Sequence, residues 1–240
     1  MIKKIAHITD LHLDEEFSIG IKINTRKRFD MILESIKENE INEIICTGDI
    51  GINKGVDYFF ERLKNMNLSV TMGNHDDFFE ISKYYSLGAD YELNKIYKSR
   101  VYGQYKFIYL DSSTGYIDDK QIEWLKTELK SSRPLMIFVH HPIFATGLKI
   151  DEIGQLNNSN ELKKLLIEVP RPIHIFCGHY HMESSLVHKN IAQQITPAVV
   201  FQVKKSIDKI DLDASISGYR IIEIKNSELS SKVVYLNHAD

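Results

Sequence analysis

The feature that most constrains this chain is a set of short apolar runs, most of which break off into a cluster of Asp, Asn or His. Runs at 2–9, 43–47, 68–72, 106–111, 135–140 and 173–177 are rich in β-branched residues, and several are apolar almost throughout. Strands covered on both faces read this way. Between them lie segments with a helical period. Phe29, Ile32, Leu33 and Ile36 follow the i, i+3, i+4, i+7 rule, as do Val56, Phe59, Phe60 and Leu63, and Leu162, Leu165, Leu166 and Val169. Asn158 with Glu161 reads as a capping box ahead of that last segment. Asp118 with Gln121 predicts the start of a helix carrying Ile122, Leu125 and Leu129. After residue 190 the helical patterns stop, and 191–203, 218–225 and 231–237 read as strands. Alternating strand and helix units followed by strands predict a layered α/β protein with at least one mixed sheet. With no repeat and no Pro/Gly/Ser linker, residues 1–240 are expected to form one domain.

Composition narrows the class. A chain of 240 residues can bury a sizeable core. Its 43% hydrophobic and 26% charged residues argue against a disordered, collagenous or disulfide-scaffold protein. Lys and Arg total 30 against 33 Asp and Glu, so the net charge is -3 and no nucleic-acid partner is expected. Cys46 and Cys177 are too few for a disulfide framework and are expected to be small buried hydrophobes. No apolar stretch of about 18 residues exists, so no membrane span is expected. The first residues lack the apolar run of a signal peptide, which makes the cytoplasm the expected compartment.

Five strand-like runs end in Asp10-Leu-His12, Gly48-Asp49, Gly73-Asn74-His75-Asp76, His140-His141-Pro142 and Gly178-His179-Tyr-His181. Ligands of open α/β sheets bind beyond the carboxyl ends of strands, so five such clusters can converge on one site. Residues at i and i+2 of a strand face the same side. On that reasoning Asp10 with His12, and His179 with His181, can each face one metal. Carboxylate, imidazole and amide oxygen suit Mn, Fe or Zn rather than a thiolate-binding metal. The candidates Asp10, His12, Asp49, Asn74, His140, His179 and His181 exceed the three protein ligands usual for one catalytic metal. They suit two metals that share a carboxylate, a pair that can clamp a phosphoryl group.

In this order the five motifs resemble those of the calcineurin-like metallophosphoesterase superfamily. The resemblance implies a four-layer αββα sandwich of two mixed β-sheets flanked by helices. It implies one metal on Asp10, His12, Asp49 and His181, and a second on Asp49, Asn74, His140 and His179. Asp49 and a water or hydroxide would bridge the two. That hydroxide would attack phosphorus, and His75 would be the catalytic histidine. Within the superfamily the chain resembles the class III cyclic nucleotide phosphodiesterases. The similar segments are AHITDLHL, TGDIGINKG, TMGNHDD, FIYLDSSTGYIDDKQIEWL, FVHHPIFATG, FCGHYHMES, ITPAVVFQV and SGYRIIEI. The resemblance therefore implies a small-molecule phosphoester substrate, a 3′,5′-cyclic nucleotide such as cyclic AMP first. Two departures lie near the expected substrate rim. The chain has GDIGINKG where the family usually has GDL-A-D-x-G, and Ile-Thr rather than Ser-Thr before Pro197.

Other readings share these residues. The same site can serve a phosphomonoester or a nucleotide pyrophosphate of the ADP-ribose type. A single-metal hydrolase differs in metal content. A non-catalytic interaction module of this fold would have lost ligands, and here all seven are present. His141, next to a candidate ligand, is expected on strand geometry to point the other way and to be a packed histidine or one that supports a ligand, unless it touches substrate. His7, inside an apolar run, is expected to be a satisfied core histidine. His174, His188 and His238 are expected to be structural or exposed. The long mixed segment 142–158 is expected to be a rim loop that shapes substrate choice.

Overall fold

The structure, a computed structural model, describes residues 2–226 and 228–238. Its first part runs β1 (Ile2–Ile8), α1 (Glu16–Gly20), α2 (Thr25–Glu38), β2 (Glu43–Cys46), α3 (Lys54–Leu63), β3 (Asn67–Val70) and α4 (Phe78–Ser82). The short strands β4 (Ala89–Asp90) and β5 (Lys95–Ile96) lead to β6 (Lys98–Tyr102) and β7 (Tyr105–Tyr109). Then come α5 (Asp119–Glu128), β8 (Leu135–Phe138), α6 (Asp151–Gly154), α7 (Ser159–Ile167) and β9 (Ile173–Cys177). The remainder is β10 (Ser184–His188), β11 (Ile191–Ile195), β12 (Gln202–Val203), β13 (Leu212–Asp213), β14 (Ile216–Lys225) and β15 (Glu228–Asn237).

Two large sheets result, ordered β15-β14-β1-β2-β3 and β10-β11-β9-β8-β7-β6. In the first, β1, β2 and β3 are parallel while β14 and β15 run antiparallel. In the second, β7, β8, β9 and β11 are parallel and the edges β6 and β10 antiparallel. Both sheets are therefore mixed. Strand alternation sorts the side chains into layers. Ala6, Ile8, Ile44 and Cys46 pack outward on Phe29, Ile32 and Phe59 of α2 and α3. Ile108, Ile137 and Ile175 pack on Leu125, Leu162 and Leu166 of α5 and α7. Ile5 and Ile45 point the other way and meet Phe107, Tyr109, Phe138 and Phe176 between the sheets. The four layers are helix, sheet, sheet, helix, as the resemblance implied. Among the described residues no helix is long and apolar enough to cross a membrane.

Local expectations mostly hold, with instructive exceptions. Asp118 caps α5 by accepting the Gln121 amide at 2.9 Å. Asn158 stands at the N-cap of α7, but its side chain makes no cap hydrogen bond to the helix backbone. Its Oδ1 accepts the Ile117 amide and its Nδ2 donates to the Ile117 carbonyl, so it ties α7 to the turn before α5. The expected strand 191–203 is two pieces, because β11 stops at Ile195 just before Pro197, which has no amide for a ladder. The freed segment crosses to the first sheet, where Val199 and Val200 amides donate to the Thr9 and Asp10 carbonyls. The edge strands β6 and β10 carry no apolar run, which is why periodicity does not reveal them.

Candidate metal centre

All seven predicted ligands lie just past the carboxyl ends of β1, β2, β3, β8 and β9, and the loops from the two sheets interlock. The Asp10 amide donates to the Gly48 carbonyl at 3.0 Å, and the Gly178 amide to the His140 carbonyl at 2.9 Å. The His179 amide donates to an Asp10 carboxylate oxygen at 2.9 Å, joining the sheets. Such close approach leaves no room for side chains at two turns. A Cβ on Gly73 would lie 2.2 Å from Asp49 Oδ1, and one on Gly178 would lie 2.6 Å from Asp10 Oδ2.

The strand geometry assumed for the paired residues does not hold, although Asp10 and His12 do come together beside His181. Asp10, His12, Asp49, His179 and His181 all adopt left-handed backbone, with φ between 48° and 68°. Non-glycine residues in that region cost roughly 1 kcal/mol or more each and cluster at functional sites. The chain has left the strands by these positions, so i, i+2 spacing no longer sets direction. His179 and His181 consequently part. His179 turns its Nδ1 to His140 Nε2 at 3.1 Å, while His181 Nε2 meets His12 Nε2 at 3.1 Å.

Two groups of donors form around one carboxylate. Asp49 Oδ2 lies 3.3 Å from His140 Nε2 and 3.6 Å from His12 Nε2. On one side Asp10 Oδ1 lies 3.5 Å from His181 Nε2. On the other, Asn74 Oδ1 lies 3.1 Å from His140 Nε2. Asp10, His12, Asp49 and His140 are buried.

Neighbours fix which atoms face inward. His140 Nδ1 donates to the Thr47 carbonyl at 2.8 Å, leaving Nε2 as the ring nitrogen that faces the site. His12 Nδ1 donates to Glu15 Oε1 at 2.9 Å, which turns its Nε2 toward the site in the same way. Asp76 accepts the amides of Asp49, Ile50 and Gly73, each at 2.8 Å, and so shapes the loop that carries Asp49.

This donor set fits a cation. Imidazole nitrogens and buried carboxylates point into a shared space, and among the described residues no Lys or Arg pairs with Asp10 or Asp49. The charges register that demand. Burial opposes ionisation of Asp10, yet the His181 and His140 imidazoles hold its carboxyl below the usual range. Asp49 is likewise held well below its usual range by His140 and His12 against the cost of burial. Burial would lower the pKa of His140, but the Asp49 and Asp10 carboxylates raise it to about 9. His179 is pushed down to about 3 by burial and by the neighbouring His140.

His75 stands at the edge, its side chain 41% exposed. Its amide donates to Asp49 Oδ1 at 2.9 Å, and its Nδ1 lies 2.8 Å from Glu15 Oε2. The hydrogen bond to Glu15 raises its pKa to about 9 against the burial that opposes it. Beside it opens a pocket of about 290 Å³ lined by His12, Phe17, Asp49, His75, His179, His181 and Phe201. Phe17 and Phe201 meet edge to face at 6.0 Å and wall this pocket on the His12 and His181 side.

The other histidines divide. His141 does not simply point away. Its ring lies 4.2 Å from that of His179, and its Nδ1 is 2.8 Å from Ser112 Oγ. His7 is a satisfied core histidine, with Thr196 Oγ1 at 2.7 Å and Thr47 Oγ1 at 3.0 Å. His188 is exposed, His174 is half-buried, and His238 bonds Ser217. Cys46 and Cys177 are free and buried. Segment 142–158 lies against the site, since a Cβ on Gly154 in α6 would come within 2.9 Å of His179 Nε2. Sequence reasoning missed Glu15, Asp76 and Thr47. Glu15 had a signal, a carboxylate three residues after His12. The Thr47 contact uses a carbonyl oxygen, which every residue has.

Residues 3–183 match the family model of calcineurin-like phosphoesterases. A protein from Fibrobacter succinogenes named as a probable cyclic nucleotide phosphodiesterase is 26% identical, over 98% of this chain and 95% of its own. A 3′,5′-cyclic-nucleotide phosphodiesterase from Nostoc is 26% identical over 92% of this chain and 87% of its own. A 3′,5′-cyclic adenosine monophosphate phosphodiesterase from Vibrio vulnificus is 24% identical over 96% and 89%. The fold matches that of a dimetal phosphatase from Danio rerio with a TM-score of 0.74 and 11% identity, over 99% of both chains. With the site's donors and this match over most of its length, the chain belongs to the calcineurin-like phosphoesterase family and is a phosphoric ester hydrolase, of a family that works with divalent metals.

Proposed function

We propose that this chain, acting as one domain, is a dinuclear phosphodiesterase whose substrate is a 3′,5′-cyclic nucleotide such as cyclic AMP. The observation that carries the dinuclear reading is the place of Asp49. Its Oδ2 stands between two imidazole sets, 3.6 Å from His12 Nε2 and 3.3 Å from His140 Nε2. Asp10, His12, Asp49 and His181 would hold one metal, and Asp49, Asn74, His140 and His179 the other. Mn, Fe and Zn all accept these donors. Bound there, the ions would supply charge neutralisation for the phosphoryl oxygens and a more acidic water.

The chain's own residues do the rest. Glu15 and the Thr47 carbonyl hold His12 and His140 in the tautomer that presents Nε2. His75, at the edge of the pocket, would give a proton to the departing ester oxygen or stabilise its charge. The Phe17 and Phe201 wall suits a flat organic group, as a nucleobase is, better than a bare phosphate. Segment 142–158 would close the far rim over His179. The relatives named for cyclic nucleotides support the substrate class.

The test is product chromatography after incubating the Mn-loaded protein with cyclic AMP, beside bis(4-nitrophenyl) phosphate. Conversion to AMP with the higher kcat/KM is the expected result. Cleavage of the aryl diester with cyclic AMP intact would discard the nucleotide and move the search to pyrophosphates and monoesters.

A further inference from the structure

Glu15 precedes α1 and is only 6% exposed, although nothing about the apolar core requires a carboxylate there. Its two oxygens are divided between two imidazoles. Oε1 lies 2.9 Å from His12 Nδ1 and Oε2 lies 2.8 Å from His75 Nδ1. An ionised carboxylate only accepts, so both rings must present Nδ1–H to it. The rings sit edge to face, 4.7 Å apart, and Phe17 packs against both. His75 is also gripped at its backbone, where its amide donates to Asp49 Oδ1. Its Nε2 makes no hydrogen bond among the described residues, and the ring lines the pocket.

We propose that Glu15 is a positioning residue for the proposed reaction. One carboxylate sets the tautomer and aim of His75 and ties that ring to His12 at the metal centre. This rests on the phosphodiesterase reading above. In the step concerned, a water oxygen bonds to phosphorus as the ester P–O bond breaks. The electron pair of that bond leaves on the ester oxygen, which takes the proton of His75 Nε2. His75 is reprotonated from solvent, and the water's own proton is released there. With the Glu15 carboxylate on Nδ1, the ring of His75 is held in place beside the pocket, as a buried carboxylate does for a catalytic imidazole elsewhere.

A proton donor matters most when the leaving oxygen is basic. The test is therefore a series of aryl methyl phosphodiesters, from 4-nitrophenyl to unsubstituted phenyl, cleaved by the metal-loaded wild type, Glu15→Gln, His75→Ala and the double variant. Metal content per chain is measured on each. Glu15→Gln is expected to slow the phenyl ester by about 10²-fold and the nitrophenyl ester several-fold less. Because Glu15 also holds His12, the variant is expected to bind metal more weakly, so rates are compared at saturating metal, where it should add little in the His75→Ala background. At saturating metal, an equal loss across the series or an additive double variant would overturn the proposal, as would a rate restored in full by added metal. Side-chain 15N spectra of the metal-free protein give an independent reading. His75 should be protonated at Nδ1 in wild type and should lose that preference in Glu15→Gln, with Glu15→Asp as the second variant if the first does not fold. An unchanged His75 spectrum would overturn the proposal on its own. Failure of the wild type to cleave any diester would overturn the phosphodiesterase reading instead, and the spectra would still decide the Glu15 contact.

Discussion

Two fully buried histidines, 133 positions apart in sequence, show how differently this molecule treats the same side chain. His7 lies between the sheets, edge-on to Phe138 and Phe176, with a threonine hydroxyl on each nitrogen. Burial and Arg220 push its pKa down to about 3. His140 lies at the strand ends, with a carbonyl on one nitrogen and two carboxylates near the other. There the carboxylates outweigh the burial and raise it to about 9. The interior closes its polar groups on one another and keeps the imidazole neutral. The strand ends turn ring nitrogens and negative charge toward a common space, where the carboxylates favour any cation, a proton on His140 included. The neutral seam carries the fold, and the charged end carries the chemistry.

The sharpest way to break that contrast is at the shared carboxylate. Asp49→Ala is expected to reduce kcat/KM by at least about 10³-fold and to empty the centre, read by metal content and turnover together. Normal turnover by this variant would sink the dinuclear scheme. A smaller insult leaves every ligand in place. The Cβ of Gly178→Ala would lie 2.0 Å from Thr9 Oγ1 and 2.6 Å from Asp10 Oδ2, so the loop must shift. Metal affinity should fall about 10–100-fold, the range seen when supporting contacts are lost. Calorimetric titration with Mn would measure it, and unchanged affinity would mean that the loop tolerates the shift.

The smallest effect belongs to the seam. The folded pKa of His7, about 3, is below its ordinary value of 6.5, so the unfolded chain takes up a proton first on acidification. The stability from its neutral burial is complete above about pH 6.5 and is lost as the pH falls toward 3. Each such group contributes a slope of up to about 1.4 kcal/mol per pH unit in that window. Urea unfolding between pH 6.5 and 4 should show the decline, and His7→Gln should flatten it by about one group's share. An unchanged slope in the variant would assign the acid sensitivity to other groups.

The order of these effects follows what could be read along the chain. Asp49, His140 and the other five ligands were legible because each follows an apolar run and offers a donor that a folded core cannot use by itself. The strands of both sheets were legible for the same reason, apart from the edges β6 and β10. Glu15 was harder to see. Its spacing of three from His12 is the one local mark that sets it apart from Glu16, yet one is buried between two imidazoles and the other is exposed. Asn158 shows the reverse error, since a valid capping pattern was outbid by a partner 41 positions away.

The sequence by itself determined the layered α/β class, the donor types and the strand ends at which they sit. Hydrophobic period and side-chain chemistry are local properties and are written in consecutive residues. Only the tertiary structure decided which donors share a space. His179 and His181 are two residues apart, yet they turn to opposite halves of the site because left-handed backbone breaks the strand's alternation at both. Glu15 reaches His75, 60 positions later, because β1, β2 and β3 run parallel within one mixed sheet and the loops after β1 and β3 meet beyond the same end of it.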